Sequence, residues 1–244
     1  MTQALIVGGT YGLGLALALA ASRRGITPII CGRSVDDPRR RHYFPEGAVT
    51  RRYDATAPGD RIRQIATEFP EINYVVYCSG ELLHGDFATL PDEDIDRVMA
   101  INLIGPMKLV RDFHAVRRAA RRPYHLTIIG STSAFRLRAD QEVYCASKAG
   151  FDHFARNFAD RLTVDLPGSR TLIVNPGGMT TELFEKSGLS TSGFMDPTMV
   201  AALIWDEIVQ QGVHRHEINL LRGNNGSCTK TIGPQKPEGL INKE

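Results

Sequence analysis

Long apolar runs are missing from these 244 residues. No stretch reaches the ~18–20 residues that a membrane-crossing helix needs, so no span is expected. No charged-then-apolar leader opens the sequence either. Cysteine is scarce: Cys31, Cys78, Cys145 and Cys228 are scattered and show no metal-ligand spacing. Neither a disulfide framework nor a metal centre is expected, and free thiols of this kind suit a reducing, cytoplasmic setting. Charge of one sign is not in excess. The 29 Lys and Arg against 27 Asp and Glu leave +2, which gives no electrostatic footprint for nucleic acid and no acidic tail. There is no internal repeat and no linker that would split the chain. With 42% hydrophobic residues the sequence can bury one large core.

What is present alternates. Apolar runs at 4–7, 28–31, 48–53, 74–78, 125–129, 171–175 and 217–221 read as strands. Helical patterns fall at 12–24, 58–68, 91–103 running on through 105–118, 143–162 and 196–211. Such alternation predicts an α/β fold, a Rossmann-type doubly wound parallel sheet of about seven strands with helices on both faces. We expect one domain over 1–222 and, from a composition rich in Gly, Asn, Thr, Lys and Pro, an irregular tail over 223–244.

Two motifs anchor the chemistry. After the first strand comes Gly8-Gly9-Thr10-Tyr11-Gly12-Leu13-Gly14, leading into a helix rich in Ala and Leu. A strand, a glycine turn and a helix N-terminus make a phosphate site, because amides point outward and no Cβ blocks the anion. The spacing differs from the usual G-x-G-x-x-G. The second motif is Tyr144-Cys145-Ala146-Ser147-Lys148, which places a phenol and an ammonium a turn apart on one helix face. A neighbouring cation favours the phenolate and is expected to lower the tyrosine's pKa toward the working range.

Together these motifs resemble the short-chain dehydrogenase/reductase family, whose nucleotide turn is T-G-x-x-x-G-x-G and whose catalytic core is Y-x-x-x-K. The resemblance runs through nearly the whole chain. Ile101-Asn102-Leu103 matches the family's asparagine segment, and Ile128-Ile129-Gly130-Ser131 matches the strand ending in its serine, thirteen residues before Tyr144. Asn175-Pro176-Gly177-Gly178-Met179-Thr180-Thr181 resembles its P-G-x-x-x-T segment, and Asp54 stands where the family uses an aspartate near adenine. Two positions depart from the pattern. Val7 replaces the first threonine, and Tyr77-Cys78-Ser79-Gly80 replaces N-N-A-G, so Cys78 lacks an amide that ties strands in family members.

The resemblance implies a set of roles. Tyr144 is expected to move a proton, Ser131 to hold the carbonyl oxygen, and Lys148 to hold the nicotinamide ribose. Asn102 is expected to hold a relay water. Around the cofactor it implies Gly8, Thr10, Tyr11, Gly12, Leu13 and Gly14 at the phosphates, with Asp54, Cys78, Ser79 and Gly80 at the adenosine. Pro176, Gly177, Met179 and Thr181 fall at the nicotinamide, alongside Asn102, Tyr144 and Lys148. The end of the second strand reads Gly32-Arg33-Ser34, where an NAD-specific enzyme has a carboxylate. Arg33 and Ser34 suit a 2′-phosphate instead, so NADP(H) is expected. Arg39, Arg40 and Arg41 read as a solvated loop, with a raised local potential beside that phosphate as the alternative.

A carbonyl or secondary alcohol is the expected substrate class, with reduction the expected direction. The segment 180–197, with Leu183, Phe184, Gly188 and Phe194, reads as a mobile lid. Arg136 and Arg138 fall at the mouth; His84 reads as a plain loop histidine, with lining the same mouth as the alternative. Phe151, Phe154, Phe158 and Leu162 form a stripe on the Tyr144 helix, most of it core, and the resemblance implies a homodimer or homotetramer pairing this helix. The alternative is a non-catalytic NADP(H)-binding regulatory or interaction protein of the same fold.

Overall fold

Ala4 and Ile6 point to one side of the first strand, Leu5 and Val7 to the other, and all four are fully buried. An apolar strand without polar alternation demands cover on both faces. The computed structural model describes residues 2–185 and 190–234 and supplies that cover. Along the chain come β1 (Gln3–Val7), α1 (Gly12–Ser22), β2 (Thr27–Gly32), a short α2 (Pro38–Arg41), β3 (Val49–Arg52) and α3 (Arg61–Glu68). Next are β4 (Ile72–Tyr77), α4 (Asp92–Met99), α5 (Gly105–Ala119), β5 (His125–Ile129) and α6 (Glu142–Asp165). The chain continues through β6 (Arg170–Pro176), α7 (Glu182–Glu185), α8 (Pro197–Gln210), β7 (Arg215–Arg222) and β8 (Cys228–Ile232).

These strands form one eight-stranded sheet in the order β3-β2-β1-β4-β5-β6-β7-β8. The first seven pair in parallel; β8 runs antiparallel to β7. The order reverses between β1 and β4, and such a switch point opens a crevice beyond the strands' carboxyl ends. Helices α1 and α8 cover one face, where the buried Trp205 donates its indole N–H to the Leu17 carbonyl at 2.9 Å. On the other face Ile62 and Ile65 of α3, Phe113 of α5 and Phe151 of α6 pack with Tyr77.

Two features differ from the sequence expectation. The first is β8, which lies in the stretch read as an irregular tail. Asn225 and Gly226 take positive φ (57° and 75°), the chain reverses, and Cys228-Thr229-Lys230-Thr231-Ile232 pairs along the sheet edge. Turn residues dominated the composition and hid a short run of β-branched residues. The rest of that tail, from 235 on, and Gly188 of the expected lid lie outside the described residues.

The second is a π-turn over Ala100–Ile104, where one long helix was expected through Leu103 and Gly105. Pro106 has no N–H to offer the Asn102 carbonyl four residues before it. The helix takes up the mismatch as a wider turn. A side chain at Gly105 would meet the Ala100 and Ala55 carbonyl oxygens at 2.8 Å, so the chains approach closely here.

Candidate active site

The glycine turn is built for backbone contact. Gly8 and Gly12 sit at φ +85° and +48°, which L side chains rarely adopt. A Cβ on Gly8 would fall 2.6 Å from the Ser79 amide nitrogen, and one on Gly14 would overlap the Gly8 carbonyl. The Gly8 and Gly9 amides both donate to the Cys31 carbonyl, at 2.8 and 3.2 Å, which fixes the turn against β2. Tyr11 stands at the N-cap of α1 in extended conformation and makes no side-chain capping bond, and the first turn holds no acidic residue. Leu13 and Gly14 are buried in that turn. Its amides and the helix dipole therefore suit an anion.

Thr10 is buried against Gly32, whose Cβ would meet the Thr10 hydroxyl oxygen at 3.2 Å. The end of β2 carries no carboxylate. Arg33 is exposed, its carbonyl accepting from Arg52 at 3.3 Å, and Ser34 is half-buried. Asp54 accepts from the Thr56 amide at 2.9 Å and hydroxyl at 2.8 Å. Burial would raise its carboxyl, but those bonds and the charges of Arg33 and Arg52 hold it below the usual range.

Tyr144, Ser131 and Lys148 converge where β5 ends and α6 begins. Ser131 follows β5 and, buried, accepts the Ser133 amide at 3.1 Å. Tyr144 is 5% exposed in the first turn of α6. Burial pushes its phenol up to about 12, against the pull of a Ser131 hydrogen bond and the Arg138 charge. Lys148 is equally buried. Its ammonium lies 5.8 Å from the Tyr144 ring centre and 3.4 Å from the Ile129 carbonyl, and burial drops it to about 8. The expected lowering of the phenol by Lys148 is therefore not met here: desolvation of each group outweighs attraction across that distance. Gly80 lies over the ammonium, since a Cβ there would stand 3.4 Å from Nζ. Cys78, with its thiol pushed up to about 12 by burial, sits two residues before.

Asn102 projects from the π-turn and is fully engaged. Its carbonyl oxygen accepts from the Glu81 amide at 2.9 Å, while its NH2 donates to the Glu81 carbonyl (2.8 Å) and the Ser147 hydroxyl (3.0 Å). Ser147 in turn donates to the Tyr144 carbonyl at 2.8 Å, so Asn102 braces the start of α6.

The segment after β6 closes the site from the other side. Pro176 is buried, and the Gly177 amide donates to the Leu220 carbonyl at 2.8 Å. Met179 bridges to Met195, and buried Thr181 meets Gly12, 3.1 Å from where a Cβ would stand. Phe184 and Phe194 pack edge to face at 5.0 Å, with the Arg222 guanidinium 4.5 Å from the Phe194 ring centre. Arg138 donates to the Ser133 hydroxyl at 3.1 Å, next to Ser131 and Tyr144; His84 is exposed.

Sequence reasoning missed two groups. One is a buried polar chain behind Ser131. Its amide donates to Asn175 Oδ1 at 3.1 Å, Asn175 Nδ2 donates to Asp152 at 3.0 Å, and Arg156 bridges Asp152 (2.6 Å) and Glu217 (2.8 Å). The i, i+4 spacing of Asp152 and Arg156 was the available signal. The other is Arg40. The stretch read as a loop is the short helix α2, capped by Asp37; Arg39 pairs with Asp37 at 2.9 Å and Arg41 is exposed, but Arg40 lies 3.7 Å above the Tyr11 ring.

The family model for short chain dehydrogenase matches residues 2–191. The chain belongs to the short-chain dehydrogenase family. It is thus an oxidoreductase of a family that binds nicotinamide cofactors. This short-chain dehydrogenase is 27% identical over 221 residues to an uncharacterized oxidoreductase of Myxococcus xanthus, covering 87% of this chain and 83% of that one. It is 28% identical over 210 residues to short-chain reductase protein NovJ of Streptomyces niveus, covering 82% and 77%. Among solved structures it is similar to a variant actinorhodin polyketide ketoreductase with NADPH (TM-score 0.78, 20% identity, 93% of this chain and 98% of that one). It is also similar to an alcohol dehydrogenase from Thermococcus sibiricus complexed with 5-hydroxy-NADP (TM-score 0.76, 19% identity, 90% and 96%). At these identities the structures speak for the fold. Among the described residues no helix is long and apolar enough to cross a membrane, and no cluster suits a metal ion.

Proposed function

We propose that the protein is an NADP(H)-dependent oxidoreductase acting on a carbonyl or secondary alcohol, with Tyr144 as its acid/base. The observation that carries this is the convergence of the buried Tyr144, Ser131 and Lys148 beneath Gly80, at the carboxyl ends of β4 and β5 beside the switch point of the sheet. The turn fits a dinucleotide, because Gly8, Gly12 and Gly14 leave the cradle that side chains would fill. Gly8 to Gly14 hold its phosphates, Asp54, Ser79 and Gly80 its adenosine, and Pro176 to Thr181 its nicotinamide. When bound, the nicotinamide supplies or accepts a hydride.

The protein's own part is proton handling and position. A phenol with its pKa near 12 is protonated at neutral pH and can give its proton to a carbonyl oxygen. Ser131 Oγ donates to the same oxygen and stabilises the charge that develops on it. Lys148, poised near 8, is a cation that can assist at working pH once paired with ribose hydroxyls. Asn102 spends its side chain on Glu81 and Ser147, so a relay water would fall to its main-chain carbonyl. The NADP preference rests on Gly32 and Arg33, where no carboxylate repels a 2′-phosphate. The four free thiols suit a cytoplasmic protein, and the stacked Phe154 and Phe158, at 5.8 Å on α6, are the face we assign to a homodimer or homotetramer.

A parallel fluorescence titration with NADPH and NADH, followed by a screen of ketones for cofactor oxidation, tests this reading. Tighter NADPH binding and turnover of a ketone support it. Binding without turnover of any carbonyl or alcohol leaves the cofactor-binding regulator instead.

A further inference from the structure

Glu182, the first residue of α7, sets its carboxylate against the glycine turn. Its Oε2 lies 3.4 Å from the place where a Gly12 side chain would begin. Its other oxygen, Oε1, stands 3.9 Å from Arg40 Nη1. Arg40 belongs to the segment after β2, lies 3.7 Å above the ring of Tyr11 and 5.9 Å from that of Tyr43, and is only 27% exposed in its side chain. Tyr11 is itself the cap of α1. Three separate parts of the chain thus meet over the phosphate turn: the segment that follows β2, the turn, and the segment that follows β6.

We propose that Arg40 and Glu182 form a clasp across the turn, which the cofactor opens by exchanging partners with both. This rests on the NADP(H) reading given above. The helix end at Gly12 favours a negative group, and the Glu182 carboxylate supplies one. A pyrophosphate seeking the same amides carries more charge and repels the carboxylate, so Glu182 must leave. Its departure frees Arg40. The neighbouring acid cannot take Arg40 up, because Asp37 is held by Arg39 at 2.9 Å. The fork of Arg40, held on the Tyr11 face, then turns to the 2′-phosphate. Arg40, rather than the exposed Arg33 alone, is the residue that distinguishes NADPH from NADH. The 2′-phosphate also offsets the cost of opening, a compensation that NADH cannot provide.

The test is binding, measured by calorimetry with NADPH, NADH and adenosine 2′,5′-bisphosphate on the full chain. Glu182→Gln keeps the shape and removes the charge, and both dinucleotides are expected to bind about two- to fivefold tighter. Arg40→Met is expected to weaken NADPH and the bisphosphate about ten- to hundredfold, with NADH little changed. Arg40→Lys retains part of the preference and guards against a folding defect, which thermal unfolding of each variant reports. Wild-type protein that binds NADH as tightly as NADPH overturns the cofactor reading itself. Wild-type preference for NADPH that survives in Arg40→Met, or unchanged affinities in Glu182→Gln, overturns the clasp and leaves that reading standing.

Discussion

Asn175 Oδ1 accepts the backbone N–H of Ser131 at 3.1 Å, and that bond ties the end of β5 to the end of β6. Gly130 must lack a side chain for it to form, because a Cβ there would overlap the same oxygen. Behind Asn175, Asp152 is burdened by burial, which raises its carboxyl against the pull of Asn175 and Arg156. Asn175→Ala leaves the Ser131 amide and the Asp152 carboxylate short of a partner. A loss of about 1–3 kcal/mol in urea unfolding is expected. Turnover should fall with little change in cofactor affinity, since the bond positions Ser131 and touches no phosphate.

Lys148 exchanges stability for function. Its folded pKa lies at about 8, below the ordinary 10.5, so the buried cation costs stability at every pH below 8. That cost fades as pH rises from 8 to 10.5, where the unfolded chain loses its proton too. Lys148→Met should therefore melt higher at pH 7, by an equivalent of about 2–4 kcal/mol, while losing turnover. A variant that melts lower would show that the ammonium is better solvated than its burial implies.

His125 makes the fold sensitive to mild acid. Burial holds its pKa at about 4, against 6.5 for a free imidazole, although the 2.8 Å bond to Gln211 favours the charged form. Above pH 6.5 the ring is neutral in both states and nothing is lost. Below it the unfolded chain takes up a proton that the folded one refuses, so stability drains between pH 6.5 and 4 by about 2–4 kcal/mol. Denaturant unfolding of wild type and His125→Asn across this window measures it; the variant's curve should be flatter.

Gly14→Ala tests the glycine turn alone. Its Cβ would overlap the Gly8 carbonyl, which belongs to backbone and cannot swing aside. Overpacking of this kind costs about 1–3 kcal/mol. Dinucleotide affinity should fall further than stability, because the displaced Gly8 and Gly9 set the path of the whole glycine turn through their bonds to the Cys31 carbonyl.

Much of this was legible in the sequence because its apolar runs are short and unbroken. All seven runs from 4–7 to 217–221 became strands, with ends displaced by a residue or two. The eighth strand was hidden, since Thr229 and Thr231 are outnumbered by turn residues. Tyr144 and Lys148 could be placed near one another from spacing, and Ser131 beside them from the family resemblance, but the pKa values could not. They are set by burial, which no spacing reveals. Arg40 shows the same limit. It stands in an arginine-rich stretch that reads as solvated, yet it lies on Tyr11.

The central claim is that hydride moves to a carbonyl carbon while Tyr144 supplies the proton. Incubating the protein with NADPH carrying deuterium at both nicotinamide C4 positions and a panel of ketones, with mass spectrometry of the products, tests it most directly. The account predicts alcohol carrying one deuterium on the carbinol carbon. It also predicts that Tyr144→Phe slows the reaction about 10²–10⁴-fold while holding NADPH as before. Unlabelled alcohol, or equal rates in the variant, would contradict it.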